Sequence, residues 1–89
     1  MAQDSNEVAF VYSGVRWSDG VNEQCYGRWQ YPSTYVEAFA RAEALAQSRF
    51  DQLDPDDFMT QPVYWYAGLA TWENGAWRIR YLKRRPEPT

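Results

Sequence analysis

Two dipeptides, Asp19-Gly20 and Asn74-Gly75, set the tightest limits on what this chain can fold into. Each lies between runs of alternating apolar and polar residues. Each is also the pair that a two-residue type I′ hairpin requires, because both central positions need positive φ. Val8 to Trp17 (VAFVYSGVRW) and Val21 to Tyr31 (VNEQCYGRWQY) are therefore predicted as one antiparallel hairpin. Pro62 to Trp72 and Ala76 to Lys83 are predicted as a second. Counting outward from Asp19-Gly20 sets Arg16 opposite Glu23, Gly14 opposite Cys25, Tyr12 opposite Gly27, Phe10 opposite Trp29 and Val8 opposite Tyr31. The same count from Asn74-Gly75 pairs Trp72 with Trp77, Ala70 with Ile79 and Gly68 with Tyr81. A tyrosine thus faces a glycine in both hairpins, a weak sign of internal repetition.

Between the hairpins runs YPSTYVEAFARAEALAQSRFDQL. Thr34 followed three residues later by Glu37 forms a capping-box pattern, in which each side chain satisfies a backbone N–H at the helix start. At about 100° per residue, Tyr35, Phe39, Ala42, Ala46, Phe50 and Leu53 share one stripe, with Glu37, Arg41, Ser48 and Gln52 behind it. The alanines favour helix and allow close approach to a sheet. Asp54-Pro55 ends the helix and opens a short turn. The order ββαββ predicts an α+β fold: a two-layer arrangement with a four-stranded, mostly antiparallel sheet and one helix packed on one face. Residues 8–83 form the domain, with polar residues 1–7 and the basic, proline-containing residues 84–89 as flexible tails. The loop lengths allow the second hairpin to join either edge of the first.

Eighty-nine residues support a single small core. The formal net charge of −3 argues against a uniformly basic nucleic-acid footprint. The charge is unevenly spread: residues 1–60 carry ten carboxylates and four arginines, whereas residues 61–89 carry two carboxylates against Arg78, Arg80, Lys83, Arg84 and Arg85. Cys25 is the single cysteine and histidine is absent. An internal disulfide is therefore impossible, and the commonest zinc ligand and neutral-pH base is missing. No apolar run reaches bilayer length. These features predict a cytoplasmic protein without cofactor, metal or membrane contact, and not an enzyme.

The predicted pairing puts Phe10, Tyr12, Cys25, Trp29, Tyr64, Tyr66, Trp72, Trp77, Ile79 and Tyr81 under the helix. Trp17, Tyr26, Arg28, Trp65, Arg78 and Arg80 fall on the opposite face, beside Val11, Val15, Leu69 and Leu82. Tryptophan, tyrosine and arginine are the residues that most often anchor protein interfaces, and three large aromatics approach a patch size that monomers seldom expose. Those six residues are the predicted partner-binding set. Strand twist and overlying arginine stems offer the plainer account of the same residues. Asp54, Asp56 and Asp57 belong to the densest acidic cluster, read as helix termination and loop solubility or as an electrostatic handle for a basic partner. The cluster lacks the spacing of a calcium loop. Glu23 is expected to pair across the strands with Arg16, and Cys25 to be a buried structural thiol.

A strand leading into the capped, alanine-rich TYVEAFARAEALA and the closing hairpin WENGAW resemble the small, aromatic-rich inhibitor proteins of phages and mobile elements, those of the anti-CRISPR type among them. The resemblance implies stoichiometric blocking of a larger protein or nucleoprotein partner without chemistry. The basic tail departs from the strongly acidic, DNA-mimicking members. Two other functions fit the residues: a single-stranded nucleic-acid binder that stacks bases on aromatics, less favoured because of the net charge, and a homodimer that buries the same face.

Overall fold

The computed structural model describes residues 8–31, 34–57 and 59–87. The predicted tail 1–7 and the last two residues of the predicted tail 84–89 lie outside them. Four strands, β1 (Ala9–Trp17), β2 (Asn22–Gln30), β3 (Pro62–Glu73) and β4 (Ala76–Arg85), form one antiparallel sheet in the order β2-β1-β3-β4. Helix α1 (Tyr35–Gln52) packs on one face, and Pro55–Asp57 form a 3-10 turn where Asp54-Pro55 opens one. The two-layer ββαββ architecture is as the sequence predicts. β4 extends to Arg85, so Arg84 and Arg85 belong to the sheet and not to a tail.

The two hairpins close differently. Asn74 and Gly75 both take positive φ, as the type I′ turn requires. In the first hairpin only Gly20 does, Gly20 N–H bonds to the Trp17 carbonyl, and Trp17 N–H bonds to the Val21 carbonyl. The loop is therefore three residues, Ser18 to Gly20, with glycine at the left-handed position. The extra loop residue shifts the register by one near the turn, so Val15 faces Glu23 and Arg16 faces Asn22. A bulge at Cys25 takes the shift back, and Tyr12 faces Gly27 and Phe10 faces Trp29, as counted. In the second hairpin Trp72 with Trp77 and Ala70 with Ile79 pair as counted. A bulge at Arg80 then sets Tyr81 opposite Leu69 and Leu82 opposite Gly68.

The helix covers the face opposite to the one predicted. Its buried residues Ala38, Ala42 and Ala46, with Leu53, meet Val11, Val15, Trp17, Trp65 and Ala67. Phe39 and Phe50 complete the stripe, whereas Tyr35 remains exposed. Handedness explains the choice. β2 and β3 are parallel, with β1 between them, so β2-α1-β3 is a crossover within one sheet, and such connections are almost always right-handed. Trp17 directs its N–H toward β2, so for L-residues a right-handed crossover carries the helix over the side of Val11, Val15 and Trp17. Phe10 and Tyr12 must then face away from it.

The centre of the sheet is locally two-fold. Around the facing pair Ser13 and Ala67, Tyr12 lies opposite Gly68 and Gly14 opposite Tyr66. The matching segments are YSGV (12–15) and YAGL (66–69). The predicted repetition within each hairpin fails, because Leu82 and not Tyr81 faces Gly68; the tyrosine–glycine pairs that match lie across β1 and β3. Glycine is required at both sites: a Cβ at Gly68 would collide with the Tyr12 ring, and one at Gly14 with the Tyr66 ring and the Glu23 carbonyl oxygen. The phenol end of each tyrosine lies against the facing glycine.

Candidate functional site

The predicted binding residues do lie on one side of the sheet, but it is the helix side. Trp17 and Trp65 are each 7% exposed and belong to the core beneath the helix. Tyr26 is half-buried against the cluster of Val11, Ala38 and Ala42. Arg28, exposed, faces Val11 on the same side of β2. Arg80 Nε donates to Thr71 Oγ1 at 3.1 Å, and its guanidinium also pairs with Glu73, which lies 3.9 Å from Arg78 Nε. Hydrogen bonds from Thr71 and Arg80 hold the Glu73 carboxyl below its ordinary range. These side chains therefore serve the core and its rim.

The shifted register has local electrostatic consequences. Glu23, turned to the helix side, accepts from Arg49 at 2.6 Å, and that hydrogen bond lowers its pKa. The expected Arg16 partner lies on the other face and donates to Asn22 Oδ1 at 3.2 Å. Cys25, the bulge residue, is half-buried against the core, and desolvation raises its thiol pKa. Thr34 precedes the helix, but its hydroxyl has its acceptors behind it, Gln30 Oε1 at 3.0 Å and Tyr31 O at 3.1 Å, and makes no capping box. Asp54 Oδ1 accepts the Asp56 N–H at 3.0 Å, tying the acidic cluster into its own turn.

The face left bare by the helix carries Phe10, Tyr12, Trp29, Tyr64, Tyr66, Trp72, Trp77 and Ile79. At one end, Trp29 from β2 and Trp77 from β4 reach over the two central strands until their rings lie 4.9 Å apart. Trp77 also touches Trp72 and Phe10 at 5.3 and 6.2 Å. This cluster borders an open apolar groove of about 430 Å³ between Phe10, Tyr12, Trp29, Ala70, Trp77 and Ile79. Trp29 and Ile79 remain 63% and 65% exposed, high values for large apolar side chains.

Past Tyr12 the character of the face changes. Tyr12, Tyr64, Tyr66 and Leu82 line a smaller recess of about 270 Å³ with Arg16, Asn22 and Arg84. The Arg84 guanidinium lies over the Tyr64 ring at 5.9 Å, within cation–π range. Burial raises the pKa of the Tyr12 and Tyr66 hydroxyls. Neither recess is lined by a carboxylate. The acids gather on the helix layer instead, at Glu37, Glu43, Asp51, Asp54, Asp56 and Asp57.

Among the described residues, no group of three or more His, Cys, Asp or Glu side chains is placed to hold a metal ion, and no helix is long and apolar enough to cross a membrane. Comparisons with protein-family models, with curated proteins and with solved structures found no match.

Proposed function

We propose that this protein is a non-enzymatic interaction module that docks a protein partner on the bare face of its sheet. The supporting observation is the Trp29, Trp77 and Ile79 surface: rings from the two edge strands meet over the centre of the sheet, yet Trp29 and Ile79 stay largely in water and Trp77 is 40% exposed. Leaving so much contiguous apolar area hydrated is unfavourable for a monomer, and covering it on association is the corresponding gain. Tryptophan, tyrosine and arginine are the side chains that concentrate binding energy in such contacts. The partner's surface is apolar or aromatic, with carboxylates near the arginine end. A second copy offering the same face lacks those carboxylates. Stoichiometric blocking of a larger protein, the role implied by the resemblance to phage-type inhibitors, would use this face without chemistry.

The test is selection from a random displayed-peptide library on the native chain and on Trp29→Ser/Ile79→Ser. Peptides retained by the native chain should be released by the variant, with circular dichroism showing both folded. Equal retention by the two would remove this face as the docking site.

A further inference from the structure

The open face has two ends of different chemistry. We propose that its Arg16–Arg84 end is an anion-reading subsite that takes a carboxylate side chain of the docked protein, so that the partner lies in one direction along the strands. This rests on the docking reading above and adds a polar anchor to it.

Most of the cations near the sheet are compensated by carboxylates. Arg49 pairs with Glu23, Lys83 with Glu43, Arg78 and Arg80 with Glu73, and Arg85 with Glu87. Arg16, Arg28, Arg41 and Arg84 have no ion pair with any described residue, and of these four only Arg16 and Arg84 border one recess. Arg16 engages Asn22 through one nitrogen, and Arg84 engages Tyr64 through its flat face. In-plane N–H donors of both remain available, and a guanidinium fork matches a carboxylate. Tyr12 and Tyr66 stay protonated, so their hydroxyls can also donate.

The neighbouring groove identifies the source of the anion. A nucleic-acid strand needs a cationic path along its phosphates. Beyond Tyr12 the next groove is lined only by Phe10, Trp29, Ala70, Trp77 and Ile79, which would leave successive phosphates over apolar rings. One carboxylate beside an aromatic segment satisfies both halves.

The peptide selection tests this with the intact chain and Arg16→Gln/Arg84→Gln. Peptides enriched by the native chain should combine an aromatic residue with Asp or Glu. A synthesised winner should lose about ten-fold or more in affinity on the double variant, and equally when its own acid is changed to the amide. Aromatic peptides without an acid preference, bound equally by both chains, would overturn the subsite while leaving the docking face in place. Peptide binding that survives Trp29→Ser/Ile79→Ser would remove both. Tryptophan quenching by oligodeoxythymidylate that persists at physiological salt and is lost in the arginine variant would replace the carboxylate by phosphate and overturn the proposal.

Discussion

The sheet has two aromatic faces that behave differently. On the covered face, Trp17 and Trp65 are packed by Val15, Leu53, Ala67 and Ala46 of α1, and Glu23 pairs with Arg49 and Glu43 with Lys83. On the bare face, Trp29, Trp72 and Trp77 touch mainly one another, and two arginines have no acid. Aromatic content therefore does not identify the inside of such a protein. An alanine-rich helix lies close to a surface of small and β-branched residues, which Val11, Ser13, Val15 and Ala67 provide and the ring-covered side does not.

The comparison is most directly broken by matched truncations. Trp65→Ala should cost about 3–5 kcal/mol by opening a cavity under the helix, whereas Trp77→Ala should cost about 1–2 kcal/mol, the loss of ring contacts alone. Equal shifts in urea midpoint would mean that the faces are packed alike.

The two glycines sharpen it. At Gly14 an added Cβ meets the carbonyl oxygen of Glu23, a backbone atom that moves only with β2; at Gly68 it meets the Tyr12 ring, which can lift into solvent. Gly14→Ala should destabilise by about 3 kcal/mol and Gly68→Ala by about 1 kcal/mol, measured by chemical denaturation. The reverse order would show that the open-face rings are held as firmly as backbone.

The smallest effect concerns the ion pair that records the register. The Glu23 carboxyl is lowered in the folded chain, chiefly by the Arg49 hydrogen bond, so its contribution is present above the unfolded value and is lost as pH falls through the folded one. The native chain should exceed Glu23→Gln by about 0.5 kcal/mol at neutral pH, a small advantage because the pair is partly solvated, and one that fades as pH falls below the ordinary carboxylate range. Arg49→Gln should abolish the pH effect and Arg16→Gln should leave it. The opposite pattern would restore the pairing expected from a two-residue turn.

Local signals made the elements legible. Asn74-Gly75 fixes its turn outright, the helical stripe names most of the helix side of the core, and Asp54-Pro55 marks the end of the helix. The faces were not legible, because they depend on where β3 attaches. Only once β3 lies beside β1 does crossover handedness assign Phe10 and Tyr12 to solvent, and no local pattern carries that information. The bulges at Cys25 and Arg80 were equally hidden, since alternation reads through an inserted residue. The predicted binding set lies on the helix side for this reason: Trp17 and Trp65 belong to the core, and Tyr26, Arg28, Arg78 and Arg80 share that side of the sheet. The Arg16 and Arg84 recess joins residues from opposite ends of the chain, so only the central strand pairing shows it.

The placement of β1 beside β3 also sets the order of events during folding. Each hairpin closes over a few residues and forms on the microsecond scale by itself, but the central pairing joins Ala9–Trp17 to Pro62–Glu73 across the whole helix. Loop closure must be completed before that seam contributes anything. Two preformed ribbons meeting late, each with an unpaired edge until they do, give this small chain a kinetic bottleneck at its middle and leave β1 and β3 as the edges most open to misassociation beforehand.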